Sequence, residues 1–297
     1  MEIGALTVVI ATYNRCDTLK KAILAYQRQT ELQAMREILV VDDGSSDATP
    51  AVVAELSQDS VVPIRYFRQE NKGPAAARNV GIREAAADII LFTDDDIIPS
   101  KTLVAEHLKS HREFPQICEA VLGYMTWSPE VNATPFMKWF GTKGGLLDYS
   151  SLDGRTEAGE DHFYTGNISL KAEFLRQNDG FDEEFKSAAY EDIEFGYRLR
   201  KAGMRLLYNH KAFAYHEQFF SFADACRRCR KGAAAFEVFK QKEAGRRYYG
   251  PPSLKQRFIR QARKLASPIL SPFINIMDSR VPLPAVIYKV MYRTFAF

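Results

Sequence analysis

The stretch Asp88–Pro99, DIILFTDDDIIP, constrains the chain more than any other. Its short continuous apolar run, Ile89 to Phe92, reads as a parallel strand covered on both faces. Asp94, Asp95 and Asp96 therefore stand at the strand's C-terminal end, the edge of an open α/β sheet where ligands bind. Carboxylates this close repel one another unless a cation or hydrogen-bond donors offset their charge, and all-oxygen ligands suit Mg²⁺ or Mn²⁺. The plainer alternative is an acidic turn before the next element.

The rest of the N-terminal half repeats the strand-and-helix pattern. Leu6–Ala11 is an apolar, β-branched run followed by ATYNR at 11–15, with Asp17 as the expected N-cap of a helix carrying Leu19, Ile23, Leu24 and Tyr26. Glu37–Val41 and Ile64–Phe67 read as further strands, 52–56 and 75–87 as helices, 100–113 as another helix and 117–127 as another strand. Such alternation with short connections predicts a mostly parallel sheet built from right-handed crossovers. The loops after the strands then share one edge, where Tyr13, Asp43 and Asp94–Asp96 converge. The first strand is not followed by G-x-G-x-x-G or G-x-x-x-x-G-K-[ST], so dinucleotide-binding and P-loop classes are excluded.

Composition separates the tail from this core. Residues 1–217 carry 24 Lys+Arg against 33 Asp+Glu, whereas residues 218–297 carry 16 against 4. Three amphipathic segments, beginning at Ser221, Ser253 and Leu283, are expected there, punctuated by prolines. One reading is a helical subdomain with a solvated basic face. The sharper one is a surface lying on an anionic membrane, where a lipid-linked acceptor would be presented. Nucleic acid is excluded as a partner by the acidic core and the lack of a recognised module. Cys226 and Cys229 read as a structural i, i+3 pair. The four cysteines and the lack of an export signal predict a cytoplasmic protein, peripheral at the inner face of the membrane. The Gly- and Pro-containing middle, 128–161, is expected to be long functional loops.

The motifs ATYNR, VDDGSSD (41–47), NKGPAAARN (71–79), FTDDD (92–96), TGNISLK (165–171), GFDEEF (180–185) and YEDIEFGYRLRKAG (190–203) together resemble inverting glycosyltransferases of family 2. The resemblance covers about residues 5–217. It implies the GT-A fold over residues 1–220, with a basic helical extension at 221–297, and places the chain among non-processive, bacterial-type members that act in polysaccharide biosynthesis.

By the same resemblance, Ala11, Thr12, Tyr13, Arg15 and Asp43 bind the donor nucleotide, a uridine diphosphate sugar, with Arg78, Asp94 and Asp95 near its ribose and diphosphate. Asp96, with Asp94 and His216, is expected to hold the divalent metal, and the triple Asp leaves open which carboxylate meets it. Asp192 resembles the general base, with Glu191 its less favoured partner. Gly166 and Asn167 are expected to shape the donor-sugar and acceptor pocket, and turn chemistry is their alternative. The processive motif Q-x-x-R-W is missing, since Trp127 and Trp139 both precede Asp192, so one sugar per encounter is implied. The weighed alternatives are a sugar nucleotidyltransferase and a non-catalytic protein that binds sugar nucleotides or membranes.

Overall fold

The computed structural model describes residues 4–142, 146–249 and 266–296. Among the described residues the strands are β1 (Leu6–Thr12), β2 (Met35–Asp42), β3 (Ile64–Arg68), β4 (Ile89–Asp94), β5 (Ile97–Pro99), β6 (Glu119–Trp127), β7 (Glu157–Ala158), β8 (Asn167–Lys171) and β9 (Arg205–His216). They form one sheet of order β3-β2-β1-β4-β8-β6-β9-β5, with β7 paired to β9. The expected parallel pairing holds from β3 to β4, and beyond β4 the pairing turns antiparallel. The sheet is thus mixed.

Helices α1 (Cys16–Tyr26), α2 (Thr49–Gln58), α3 (Pro74–Glu84) and α4 (Leu103–Glu113) connect the early strands. Pro50 and Pro74 stand in first turns, where a missing N–H costs nothing. Ile89, Ile90, Leu91 and Phe92 are all fully buried, as their uninterrupted apolar run demands. Asp17 is not the cap of α1. It lies in the first turn, and the helix start is held from the next loop, where Asp47 Oδ2 accepts from Cys16 N at 3.0 Å.

Register decides what meets at the sheet edge. Thr12 pairs with Asp42 and Ala11 with Asp94, so the ends of β1, β2 and β4 lie level. Antiparallel pairing of β8 sets Asn167 beside Thr93, and pairing of β9 with β5 sets His216 beside Ile97. Two later segments are thereby delivered to the Asp94–Asp96 corner. Helix α5 (Pro135–Thr142) is followed by α6 (Ala172–Arg176), and α7 (Glu191–Lys201) starts after a left-handed Tyr190 at φ 69°. A bulky residue rarely holds that conformation, so the turn before Glu191 and Asp192 is strained and must be held by its surroundings.

The chain divides into two compact units, Met1–Thr126 with Leu152–Glu217, and Trp127–Ser151 with Gln218–Phe297. The second unit thus takes in the middle segment as well as the tail. The aromatic island expected to be loop there forms α5, because Phe136 and Phe140 are spaced to bury together. They pack with Phe222 and Cys226 of α8 (Phe222–Lys231) and with Tyr288, Met291 and Tyr292 of the C-terminal helix Ala285–Phe295. Cys226 is buried in this core and Cys229 packs against it, in keeping with a structural pair. Helices α9 (Ala233–Gln241) and α10 (Glu243–Tyr248) follow α8. The segment expected to be helical from Ser253 lies mostly outside the described residues. Among the described residues, no helix is long and apolar enough to cross a membrane.

Helix α3 sits very close to the sheet because a Cβ at Gly81 would lie 2.3 Å from Val9 Cγ1. We expect Gly81→Ala to cost about 1–3 kcal/mol in urea unfolding, despite the better helix propensity of alanine. Val9→Ala in the same chain should recover part of that loss. Strictly additive losses in the double variant would remove this contact as the cause.

Candidate functional site

Arg78 projects from α3 and is almost wholly buried. Its guanidinium donates to Glu191 Oε1 at 2.9 Å, Asp94 Oδ1 at 3.0 Å and Asp192 Oδ1 at 3.5 Å. Burial works against its charge, but Asp192, Asp94 and Glu191 outweigh burial and hold its pKa above the ordinary arginine value. One cation thus gathers three carboxylates from two elements far apart in sequence.

The two neighbouring acids of α7 differ in access. The Glu191 side chain is 4% exposed and anchors on Arg78, whereas Asp192 is 24% exposed. Asp192 Oδ2 accepts from Thr165 Oγ1 at 2.8 Å and from Thr165 N at 3.2 Å. Burial raises the Asp192 pKa, Asp94 adds to the rise, and Arg78 and Thr165 oppose it. Glu191 is likewise raised by burial and by Asp192, against Arg78. Thr165 went unassigned in the sequence reading; a hydroxyl just before Gly166 in the TGNISLK segment was the available signal. Gly166 lies against the same corner, because a Cβ there would be 3.4 Å from Asp94 Oδ2 and 2.8 Å from Met125 Sδ. Asn167 turns instead into the core, donating to Ala212 O and Tyr124 O and meeting His107 Nε2. Its place on buried β8 dictates this, and it is 1% exposed.

A second cluster lies beside the first. Arg15 bonds to Asp96 Oδ2 and lies 3.3 Å from Asp95 Oδ1, and Thr12 Oγ1 donates to Asp95 Oδ2 at 2.8 Å. Burial and Asp96 push the Asp95 carboxyl upward, and Arg15 and Thr12 oppose them. His216 Nε2 is 3.5 Å from Asp96 Oδ1, and Glu217 N donates to Asp96 O at 2.8 Å. Asp94, at the last position of β4, is 40% exposed.

These groups pass a chemical test for a divalent cation. Five carboxylates, Asp94, Asp95, Asp96, Glu191 and Asp192, face Arg15 and Arg78, leaving surplus negative charge. Asp96 meets the imidazole that β9 delivers, and oxygen donors with one imidazole suit Mg²⁺ or Mn²⁺. Among the described residues, no three of His, Cys, Asp and Glu are already grouped as a metal site.

The loops after β1 and β2 are tied together by Asn14, whose Oδ1 accepts from Ser46 N at 2.7 Å and Asp47 N at 3.3 Å. Asp43 is buried and accepts from Gln69 Nε2, Lys72 N and Gly73 N at 2.7–2.8 Å. A carboxylate expected to face a nucleotide therefore already binds the following loop. A cleft of about 540 Å³ next to it is lined by Gly44, Arg68, Gln69, Glu70 and Asn71. Tyr13 stands 48% exposed, and Ala11 pairs across to Asp94.

The fold is GT-A: the chain superposes on the mannosyltransferase PcManGT from Pyrobaculum calidifontis, in complex with GDP-Man and Mn²⁺, with a TM-score of 0.66. That match has 18% identity over 98% of this chain and 84% of the other. It also superposes on S. aureus TarS 1-349 in complex with UDP-GlcNAc, at a TM-score of 0.58 and 19% identity over 98% and 90% of the two chains. Residues 7–170 match the profile of Glycosyl transferase family 2, and the chain belongs to that family.

Among its relatives, validoxylamine A glucosyltransferase of Streptomyces hygroscopicus subsp. jinggangensis is 31% identical over 240 residues, covering 72% of this chain and 56% of that protein. Chondroitin synthase of Escherichia coli is 27% identical over 243 residues, covering 73% and 35%. The chain therefore spans about half the length of the first of these relatives and less of the second.

Removing Arg78 leaves buried carboxylates unpaired, and we expect Arg78→Met to cost about 3–5 kcal/mol at pH 8. The pKa values of Glu191 and Asp192 in the fold lie above those of the unfolded chain, so the fold binds more protons and loses stability as pH rises through the carboxylate range. Without Arg78 both values move further up, so the cost should shrink at about pH 5. Urea titrations of both proteins at the two pH values measure this difference.

Proposed function

We propose that the chain is an inverting glycosyltransferase that moves one sugar from a nucleotide diphosphate donor, uridine-based, to a hydroxyl of a saccharide or lipid-linked acceptor. The observation that carries this reading is Asp192. It is a carboxylate open to solvent at the C-terminal sheet edge, held by Thr165 and Arg78 and set beside Asp94.

Asp192 serves as general base. It accepts the proton of the acceptor hydroxyl as that oxygen attacks the anomeric carbon from the face opposite the leaving diphosphate, so the stereochemistry inverts in one displacement. The hydroxyl becomes acidic only as its bond to carbon forms, so a carboxylate is basic enough. Burial strengthens Asp192 as a base, and Arg78 with Thr165 keeps it ionised and aimed. Glu191, sealed against Arg78, positions that arginine and does not touch substrate.

Tyr13 offers an exposed ring for the nucleotide base, and the cleft beside Asp43 offers Arg68, Gln69 and Asn71 for its polar edge. Asp94 receives the ribose, and Gly166 leaves room for the sugar because a side chain there would crowd Asp94. Asp96, Asp94 and His216 would hold a divalent metal, which when bound neutralises the diphosphate leaving group. Arg15 and Thr12 hold Asp95, and with it Asp96, in place for that role. The neighbours bound to GDP-Man with Mn²⁺ and to UDP-GlcNAc support a nucleotide-sugar donor, and the relatives named for glucosyl transfer and chondroitin synthesis support a saccharide acceptor.

Asp192→Asn keeps the shape and removes the base. Transfer should fall by about 10²–10⁴ while calorimetric binding of the donor nucleotide persists. Unchanged turnover would remove Asp192 from the mechanism. Asp96→Asn should abolish the extra thermal stabilisation that Mn²⁺ gives in the presence of a nucleoside diphosphate, and loss of the Arg15 ion pair should lower the melting temperature without ligands, the baseline from which that shift is read. Stabilisation that ignores the substitution would take Asp96 out of the metal site.

A further inference from the structure

The apolar residues of the second unit fall into two sets. One faces inward, where Phe136, Phe140, Phe222, Tyr288, Met291 and Tyr292 share a core. The other faces out: Ile269, Phe273, Ile276, Val281, Val286 and Val290 are 72%, 51%, 46%, 67%, 63% and 51% exposed. In the first unit, by contrast, the exposed large apolar side chains are Tyr13, Val61 and Ile117, which are scattered. Single exposed apolar residues are ordinary, but a run of them within about two dozen positions marks a surface that meets something apolar.

The C-terminal helix shows the division within one element. Tyr288, Met291 and Tyr292 lie on its buried side, whereas Val286 and Val290, one turn apart, are exposed. Lys289 and Arg293, again one turn apart, are exposed with them. The helix thus has more apolar surface than its own fold consumes.

The charge around this surface selects the occupant. Between positions 266 and 296 the acidic residue is Asp278, and its Oδ1 is drawn inward to accept from Phe222 N at 2.8 Å. Arg280, Lys289 and Arg293 remain exposed. Within 269–290 the exposed apolar side chains are aliphatic apart from Phe273 and are flanked by long cationic ones, a combination that matches the boundary of a lipid bilayer. Among the described residues no helix is long and apolar enough to cross a bilayer, and a partly exposed apolar face with cationic flanks fits its surface.

We infer that the exposed apolar residues of the 269–290 stretch, with Arg280, Lys289 and Arg293, form a face that enters the headgroup boundary of a bilayer carrying anionic lipids. The inference stands apart from the transfer chemistry, because none of these residues belongs to the Asp94–Asp192 site.

Sedimentation of the full chain with phosphatidylcholine vesicles, with and without about one-third phosphatidylglycerol, tests it. The unaltered protein should pellet with the anionic vesicles and be released by raised salt. The pair Val286→Glu and Val290→Glu should weaken that binding at least about tenfold, and Lys289→Glu with Arg293→Glu should weaken it to a similar degree. The milder pair Val286→Ser and Val290→Ser covers the case in which the glutamates disturb folding. Donor-nucleotide binding, measured on every variant, reports folding independently of lipid. The inference is overturned if the unaltered protein ignores anionic vesicles, or if the folded variants pellet as it does. A lipid-free dimer in sedimentation velocity that Val290→Glu splits would also overturn it, since the face would then belong to a second copy.

Discussion

Arg78 is the interaction on which the site depends. Three carboxylates within hydrogen-bonding distance of one buried guanidinium would repel one another strongly without it, and with it they define a fixed corner between the end of β4 and the start of α7. The sequence reading expected Arg78 opposite a diphosphate. In the structure Nη1 donates to Glu191 and Asp192 and Nη2 to Asp94, so Arg78 sets the position and charge of these acids.

A second guanidinium repeats the device a few residues away. Arg15 reaches from the turn after β1 to Asp95 and Asp96, and Thr12 pins the far oxygen of Asp95. The two arginines divide the acidic run: Asp94 faces α7, and Asp95 and Asp96 face the first loop and His216. Adjacent residues of one turn point to different partners, so three consecutive acids can serve different tasks.

Much of this was legible in advance, for a physical reason. Buried parallel strands need uninterrupted apolar runs, and such runs located β1, β2 and β4 and hence the edge where Asp43 and Asp94 lie. The antiparallel half was harder to read, since its pairing depends on which strand lies beside which, and β8 carries buried polar residues, Asn167 and Ser169, whose partners include His107 and His111 of the distant α4. Asn167 thus looked like a pocket residue when it is a buried strand residue. Phe136 and Phe140 looked like loop because their partners lie more than eighty positions away in the tail. Thr165 carries no periodic signal, and its place just before Gly166 in TGNISLK is the one mark it leaves in the sequence.

The grip of Asp43 on Lys72 and Gly73 fuses the wall of the cleft beside Gly44 to the loop that launches α3. Gly73, at φ 94° and packed so that a Cβ would be 2.7 Å from Lys186 O, leaves that loop little slack. A substitution at Asp43 would therefore disturb Arg78, five residues past Gly73, and, with it, the acidic corner that Arg78 holds. Gln69 shares in that linkage through its Nε2 bond to Asp43, whereas Asn71 lines the cleft without a described bond to Asp43, so the cleft is more safely reshaped at Asn71 than at its floor.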